Sequence, residues 1–333
     1  MRRFWKLLLL ALGLTLFGWY VSRIGVESVW RTVLSLGPWA PLVLIPYFIV
    51  YHVDCLAWAQ TLPLAARKLR FLTLFRIRWC GESMNNLVPS ANVGGETLKV
   101  LLLRSHGITA SEGATSAIVS KSSQTLAQLI FVLFATFLFL SLYRGAPAVR
   151  TGLLVVCIVG SLAVAALFWI QSLGIFRMLI ALSEKLRLKL SVIETRKARL
   201  REIDATIVSF YKRDPRQFYR ATLLYLCGWA LDALEIYLVA YLLQMPISWS
   251  QAFVVEAFTG VAKVLGMWVP GSLGIQESGI VLVGRLAGLS DTFCAAYAVI
   301  RRARELIFAG AGMLFLYTIP ATLRPAKLTA VAH

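Results

Sequence analysis

Runs of about twenty apolar residues recur along this chain, each the length a helix needs to cross a bilayer. Lipid offers no water to the backbone, so every crossing must close its own hydrogen bonds, as a helix does. Of the 333 residues, 59% are hydrophobic and 15% charged, where soluble domains run near ~45–50% and ~25%. The net charge of +18 gathers in the connections between apolar runs, the bias of cytoplasmic loops. No basic domain stands apart from those runs, which excludes nucleic acid as the partner. The expected fold is an all-α polytopic membrane protein in the cell (inner) membrane, both termini cytoplasmic, with about six spans.

Two stretches interrupt this pattern. One reads Asn85-Asn86-Leu87-Val88-Pro89-Ser90-Ala91-Asn92-Val93-Gly94-Gly95-Glu96-Thr97. The other reads Val269-Pro270-Gly271-Ser272-Leu273-Gly274-Ile275-Gln276-Glu277-Ser278. Proline without an N–H, flanked by glycine and asparagine, ends a helix. Non-helical backbone at membrane depth survives only inside protein or beside a watery cavity. Paired breaks in two halves of a chain point to a transporter site.

In chain order, residues 7–20 form a first span rather than a cleaved signal, since no small-residue cleavage site follows. Residues 28–37 read as an amphipathic connector and 38–60 as a second span, with Trp39 and Trp58 near its ends. Arg67, Lys68, Arg70, Arg76 and Arg78 mark a cytoplasmic turn. A re-entrant hairpin over 73–104 breaks at Pro89. Residues 112–143 and 151–170 are further spans. Residues 171–216 form a basic cytoplasmic segment. Arg177 to Arg220 alone holds 12 basic and 5 acidic residues, and Leu200, Ile203, Ile207 and Phe210 recur at helical spacing there. Either a helix on the membrane surface or a solvated linker fits. Residues 221–243 cross again, 252–289 form a second hairpin broken at Pro270, and 292–320 are the last span.

The two prolines also set a common register. Asp54 and Glu235 each lie 35 residues before their proline, Glu96 and Glu277 seven after, and Lys121 and Arg302 thirty-two after. Acid, break, acid and base thus recur over 38–143 and 217–320. The charge rule inserts the two hairpins from opposite faces, which describes an inverted-topology repeat.

An ionised side chain at a helix centre costs ~2.5–3.5 kcal/mol on the insertion scale. Asp54, Glu96, Lys121, Asp232, Glu235, Glu256, Lys263, Glu277, Arg301, Arg302, Arg304 and Glu305 all fall in or beside spans, so they must pair or face water. Arg301 and Glu305 share a face at i, i+4, and Asp232 with Glu235 could meet them from the facing span. Structural salt bridges and a headgroup site of arginines both fit. Glu96 and Glu277 sit in first helical turns as caps or as proton, cation or headgroup ligands. Asn85, Asn86, Ser90 and Asn92 add uncharged hydrogen bonds, and Gly94, Gly95, Gly271 and Gly274 complete the breaks. Trp58, Trp79 and Trp268 are expected in the interfacial belt. The cysteines Cys55, Cys80, Cys157, Cys227 and Cys294 lack metal or disulfide spacing and read as buried thiols, and no cofactor or metal is expected.

With those residues in view, the chain resembles the flippase-like transmembrane domain of the lysyl-phosphatidylglycerol synthase family, including stand-alone relatives associated with hopanoid biosynthesis. Gly81-Glu82-Ser83-Met84-Asn85-Asn86-Leu87-Val88-Pro89, Val93-Gly94-Gly95-Glu96, Leu101-Leu102-Leu103-Arg104 with Gly107, and Pro270-Gly271-Ser272-Leu273-Gly274-Ile275-Gln276-Glu277 carry the likeness. Ser90-Ala91-Asn92 departs from the glycine-rich turn of many relatives. The resemblance implies movement of lipid between leaflets, with Glu96, Glu277 and the bases of the following spans in the groove. With no soluble aminoacyl-transfer domain after Pro320, the chain is not expected to make lysyl-phosphatidylglycerol itself. A phospholipid, a polyprenyl-phosphate and a hopanoid all fit as cargo. An accessory subunit of a lipid-modifying enzyme is the second reading, and a homo-oligomer or such an enzyme is the protein partner it admits. No HExxH and no nucleophile–base spacing supports an intramembrane enzyme.

Overall fold

A computed structural model describes residue 22 and residues 26–88, 93–142, 145–185 and 197–318. Pro89, Ser90, Asn92 and the expected span over 7–20 lie outside the described residues. Every regular element among those described is helical.

Helix α1 (Val26–Leu34) is amphipathic and packs against the last helix, with Val29 buried while Val26, Trp30 and Leu34 stay exposed. A 3₁₀ segment, Gly37–Val43, runs directly into α2 (Leu44–Thr61). After the short α3 (Leu64–Arg67), α4 (Phe71–Leu87) and α5 (Val93–Arg104) form the first hairpin. Helix α6 (Ala110–Leu142) starts on a capping box, Thr109 N–H donating to Glu112 Oε2 at 3.0 Å and Glu112 N–H to Thr109 Oγ1 at 3.2 Å. Next come α7 (Pro147–Leu173), α8 (Ile175–Lys185), α9 (Lys197–Arg213) and α10 (Pro215–Leu242). Pro147 and Pro215 stand at helix starts, where the missing N–H has no partner to lose. The second hairpin is α11 (Trp249–Leu265), a 3₁₀ turn (Pro270–Ser272) and α12 (Ile275–Leu286), and α13 (Asp291–Thr318) closes the chain.

Four stretches are long and apolar enough to cross a bilayer: Gly37–Thr61, Ala110–Ser141, Pro147–Leu173 and Pro215–Leu242. Helix α13 has the length, 28 residues, but carries Arg301, Arg302, Arg304 and Glu305. The protein is therefore an integral membrane protein of several apolar helices.

Helices α2 and α10 pack along one another at the centre. Around them, α4–α5–α6 and α11–α12–α13 make matching contacts: hairpin limb on limb, and returning limb on the next helix. Each hairpin's entering limb also leans on the long helix of the other set, α4 on α13 and α11 on α6. Both hairpins end alike. Gly107 takes φ +81° and Gly288 φ +83°, with Ile108 N–H donating to Leu103 O at 3.3 Å and Leu289 N–H to Gly284 O at 2.8 Å. This is a Schellman stop, which needs the left-handed region that glycine reaches without strain. The two glycines lie at the same distance past Pro89 and Pro270, a match the sequence carried and the register above did not include.

Three expectations change. Helix α9 turns its apolar face onto the bundle: Ile203 and Ile207 bury against Val119 of α6 and Phe218 of α10, with Phe210 alongside. Neither a helix resting on lipid by that face nor a solvated linker describes it, because protein covers the face. Trp58 and Trp79 are core residues, 1% and 7% exposed, and Trp79 Nε1 donates to Phe308 O at 2.8 Å; of these three, Trp268 alone is exposed. Four cysteines are buried as expected, but Cys227 is exposed.

In the first hairpin, Gly95 lies so close to Gly81 O and the Asn85 amide that a Cβ there would overlap both. Gly95→Ala is expected to destabilise the protein by about 1–3 kcal/mol through this clash, read as a lower unfolding temperature in detergent. Gly310→Ala, in open space within α13, is expected to be neutral or to stabilise by a few tenths of a kcal/mol up to about 1.

Candidate functional site: an ionic cavity between the hairpins

The close Gly81–Gly95 approach lets Asn85 Oδ1 accept from Gly95 N–H at 2.8 Å, satisfying backbone at the start of α5. At the second break, Gly274 N–H donates to Glu277 Oε2 at 2.7 Å, so Glu277 caps its own helix. Its other oxygen binds the Arg302 guanidinium, whose Nη1 also donates to Gly271 O at 3.0 Å. Arg302 continues to Glu305 at 2.9 Å. In the first half, Glu96 pairs with Lys99 at 2.6 Å and lies 3.7 Å from Lys121. The acid seven residues past each proline thus meets the base thirty-two past it, in both halves.

The second break also meets the end of α4. A Cβ on Gly271 would lie 3.2 Å from Asn86 O and 3.2 Å from Arg302 Nη1, and the Pro270–Ser272 turn rests on α4.

Behind these tips the remaining charges pair across helices. Arg304 binds Glu235 and lies 3.9 Å from Asp232, with its guanidinium 3.6 Å from the Tyr47 ring centre. Arg301 binds Glu256, Nη2 to Oε1 at 2.9 Å, and donates to Tyr297 Oη at 3.0 Å. Glu235 and Glu256 are wholly buried. The expected meeting of Asp232 and Glu235 with the α13 arginines is present. Arg78 is the misplaced residue: it belongs to no surface turn, but is buried in α4 and donates to Asp54 Oδ2 at 2.5 Å. Asp54, inside an apolar span, requires such a counter-charge.

A cavity of about 290 Å³ lies at the centre, walled by α2, α4 and α6 on one side and α10, α11 and α13 on the other. Asp54, Arg78, Glu82, Asn86, Lys121, Asp232, Lys263, Arg301 and Arg304 line it. Five bases therefore face three acids. Lys121 and Lys263 are the accessible cations, each side chain 35% exposed. Lys263 reaches Glu305 at 3.5 Å, and Lys121 donates to Gln124 Oε1 at 3.0 Å. Among the described residues, no protein group accepts from Arg78 Nη1 or Asn86 Nδ2. Glu96, Glu277, Arg302, Glu235 and Glu256 stand behind the wall rather than on it. Sequence reasoning did not single out Glu82, whose place seven before Pro89 mirrors Lys263 seven before Pro270; that spacing was the available signal. No cluster of metal-ligating side chains occurs among the described residues.

An all-helical membrane protein with two helical hairpins meeting over a buried ionic cavity is the class that fold and site define. Residues 4–312 match the family model of the lysylphosphatidylglycerol synthase TM region, and the chain belongs to that family. It is similar to a UPF0104 membrane protein of Pyrococcus horikoshii, 23% identical over 285 residues, covering 82% of this chain and 84% of the relative. A UPF0104 membrane protein of Methanothermobacter thermautotrophicus is 22% identical over 305 residues, covering 84% and 88%. No solved structure matches the chain.

Removing one partner of a buried ion pair leaves an uncompensated charge. Glu235→Ala is expected to cost about 3–5 kcal/mol by stranding Arg304. The double change Glu235→Gln/Arg304→Met is expected to cost distinctly less than the single one. Thermal unfolding in detergent, with the two compared directly, checks the ordering.

Proposed function

We propose that this protein moves a lipid with a polar headgroup between bilayer leaflets and carries out no covalent chemistry. The observation that carries this reading is the cavity, a polar space whose wall holds more bases than acids, set among helices with extensive exposed apolar surface. A headgroup slides through it while the tails stay in the bilayer. Lys121, Lys263 and Arg78 receive an anionic group, and Asn86 adds an uncharged donor. Asp54, Glu82 and Asp232 offset part of that positive charge when the cargo is absent. Phosphate suits such a wall because arginine and lysine bind its oxygens by charge-assisted bonds.

The matching contacts of α2–α4–α5–α6 and α10–α11–α12–α13 support an inverted-topology repeat over 38–143 and 217–320, hairpins inserted from opposite faces and both termini cytoplasmic. The family match supports a lipid as cargo. One half rocks against the other, opening the cavity to each leaflet in turn. Glu277–Arg302 and Glu96–Lys99 hold the hairpin tips during that motion, so these residues position rather than carry. Asn85 and Gly95 do the same for the first tip.

The test is leaflet exchange of a fluorescent phosphatidylglycerol in vesicles holding the purified protein. Lys263→Gln and Arg78→Gln are each expected to slow exchange at least tenfold, the effect of about 1.4 kcal/mol on a barrier, with Cys227→Ser unchanged. Wild-type protein that leaves exchange at the protein-free rate would refute the reading.

A further inference from the structure

A second pocket lies away from the cavity and shares no lining residue with it. It has a volume of about 620 Å³ and sits where α7 ends, α8 begins and α9 passes, within the ~300–1,000 Å³ range of small-molecule sites. Four cations line it: Arg177 from α8, and Arg201, Lys212 and Arg213 from α9. The lining contains one acid, Asp204, and its carboxylate is already engaged. Phe176 N–H donates to Asp204 Oδ1 at 3.2 Å and Arg177 N–H to Oδ2 at 2.7 Å. Asp204 thus ties the start of α8 to α9 and holds the two walls together. Tyr211 Oη donates to Gln171 Oε1 at 2.6 Å, and Gln171 Nε2 to Ser122 Oγ at 2.5 Å. Helix α9 is therefore fixed to α7 and α6, and its cations stand on a braced support.

The pocket's other edge is apolar and exposed. Leu173 lines it at 47% exposure, at the end of a span with only 6% of its most apolar stretch buried. Charge on one wall and acyl-compatible surface on the other are the two halves of an anionic lipid. We propose that this pocket binds the phosphate of an anionic phospholipid, whose tails lie along α7, as a fixed site separate from the cavity of the translocation reading. The ligand chemistry is a phosphate ester held by guanidinium and ammonium groups. Its bound lipid would clamp α8 and α9 to the leaflet they face. This site stands whether or not the cavity moves lipid.

The experiment uses the full chain in zwitterionic nanodiscs doped with photoactivatable phosphatidylglycerol, with crosslinked peptides mapped by mass spectrometry. Saturable crosslinks are expected within residues 172–177 or 201–213. Arg201→Gln/Arg213→Gln changes two exposed side chains, and circular dichroism verifies its fold. Each lost charge weakens binding about fivefold, so the mole fraction for half-maximal crosslinking is expected to rise roughly 25-fold. Lys121→Gln, in the central cavity, is expected to leave that value unchanged. Unaltered crosslinking in the double variant would overturn the proposal. Equal crosslinking by photoactivatable phosphatidylcholine would do the same, by showing proximity without recognition. Displacement by inorganic phosphate at constant ionic strength would assign the pocket to a soluble ligand and overturn the lipid.

Discussion

A helix that stops inside an apolar layer exposes backbone groups that only protein can satisfy, and the way each tip is satisfied fixes much else here. At the second tip, one acid caps the returning helix, and one arginine binds both that acid and the carbonyl of the turn. Remove Arg302 and the turn loses its donor while the carboxylate loses its counter-charge. The first tip uses different chemistry for the same end, an asparagine amide bonded to Gly95 N–H with two lysines beside Glu96. The two tips thus use unlike side chains, with the acid and the later base as the shared frame.

The rest of the charge follows from the positions of these tips. Once α4 and α11 bring polar ends to the middle of the protein, α2, α6, α10 and α13 can carry ions there, because each finds a partner within reach. Arg304 with Glu235 and Arg301 with Glu256 are buried and closed. Lys121 and Lys263 are partly exposed on the cavity wall. The gradient from closed pairs to reachable cations separates groups that hold the bundle from groups able to meet a ligand.

Much of this was legible in the sequence for physical reasons. A proline set among glycine and asparagine ends a helix where a lone glycine does not, so the hairpins stand where the breaks placed them. Asp232 and Glu235 could be matched to the α13 arginines because helical spacing puts them on shared faces. Arg78 was hidden by its company: it follows four other basic residues, and density of charge says nothing about which one turns inward. Asp54 was the clue, since an acid in an apolar span demands a base. Trp58 and Trp79 were misjudged because a belt tryptophan and a core tryptophan look alike until their neighbours are known. The packing of α9 on the bundle needed Phe218 and Val119, which lie on other helices and leave no mark in its own periodicity.

The two hairpins do not lean on their own halves alone. Helix α4 rests on α13, and α11 rests on α6, while the turn at Gly271 abuts Asn86. Neither half can therefore tilt by itself without dragging the other's tip, as two interlocked levers share one fulcrum. Any displacement of one hairpin must be transmitted to its counterpart, so the pair is geared together.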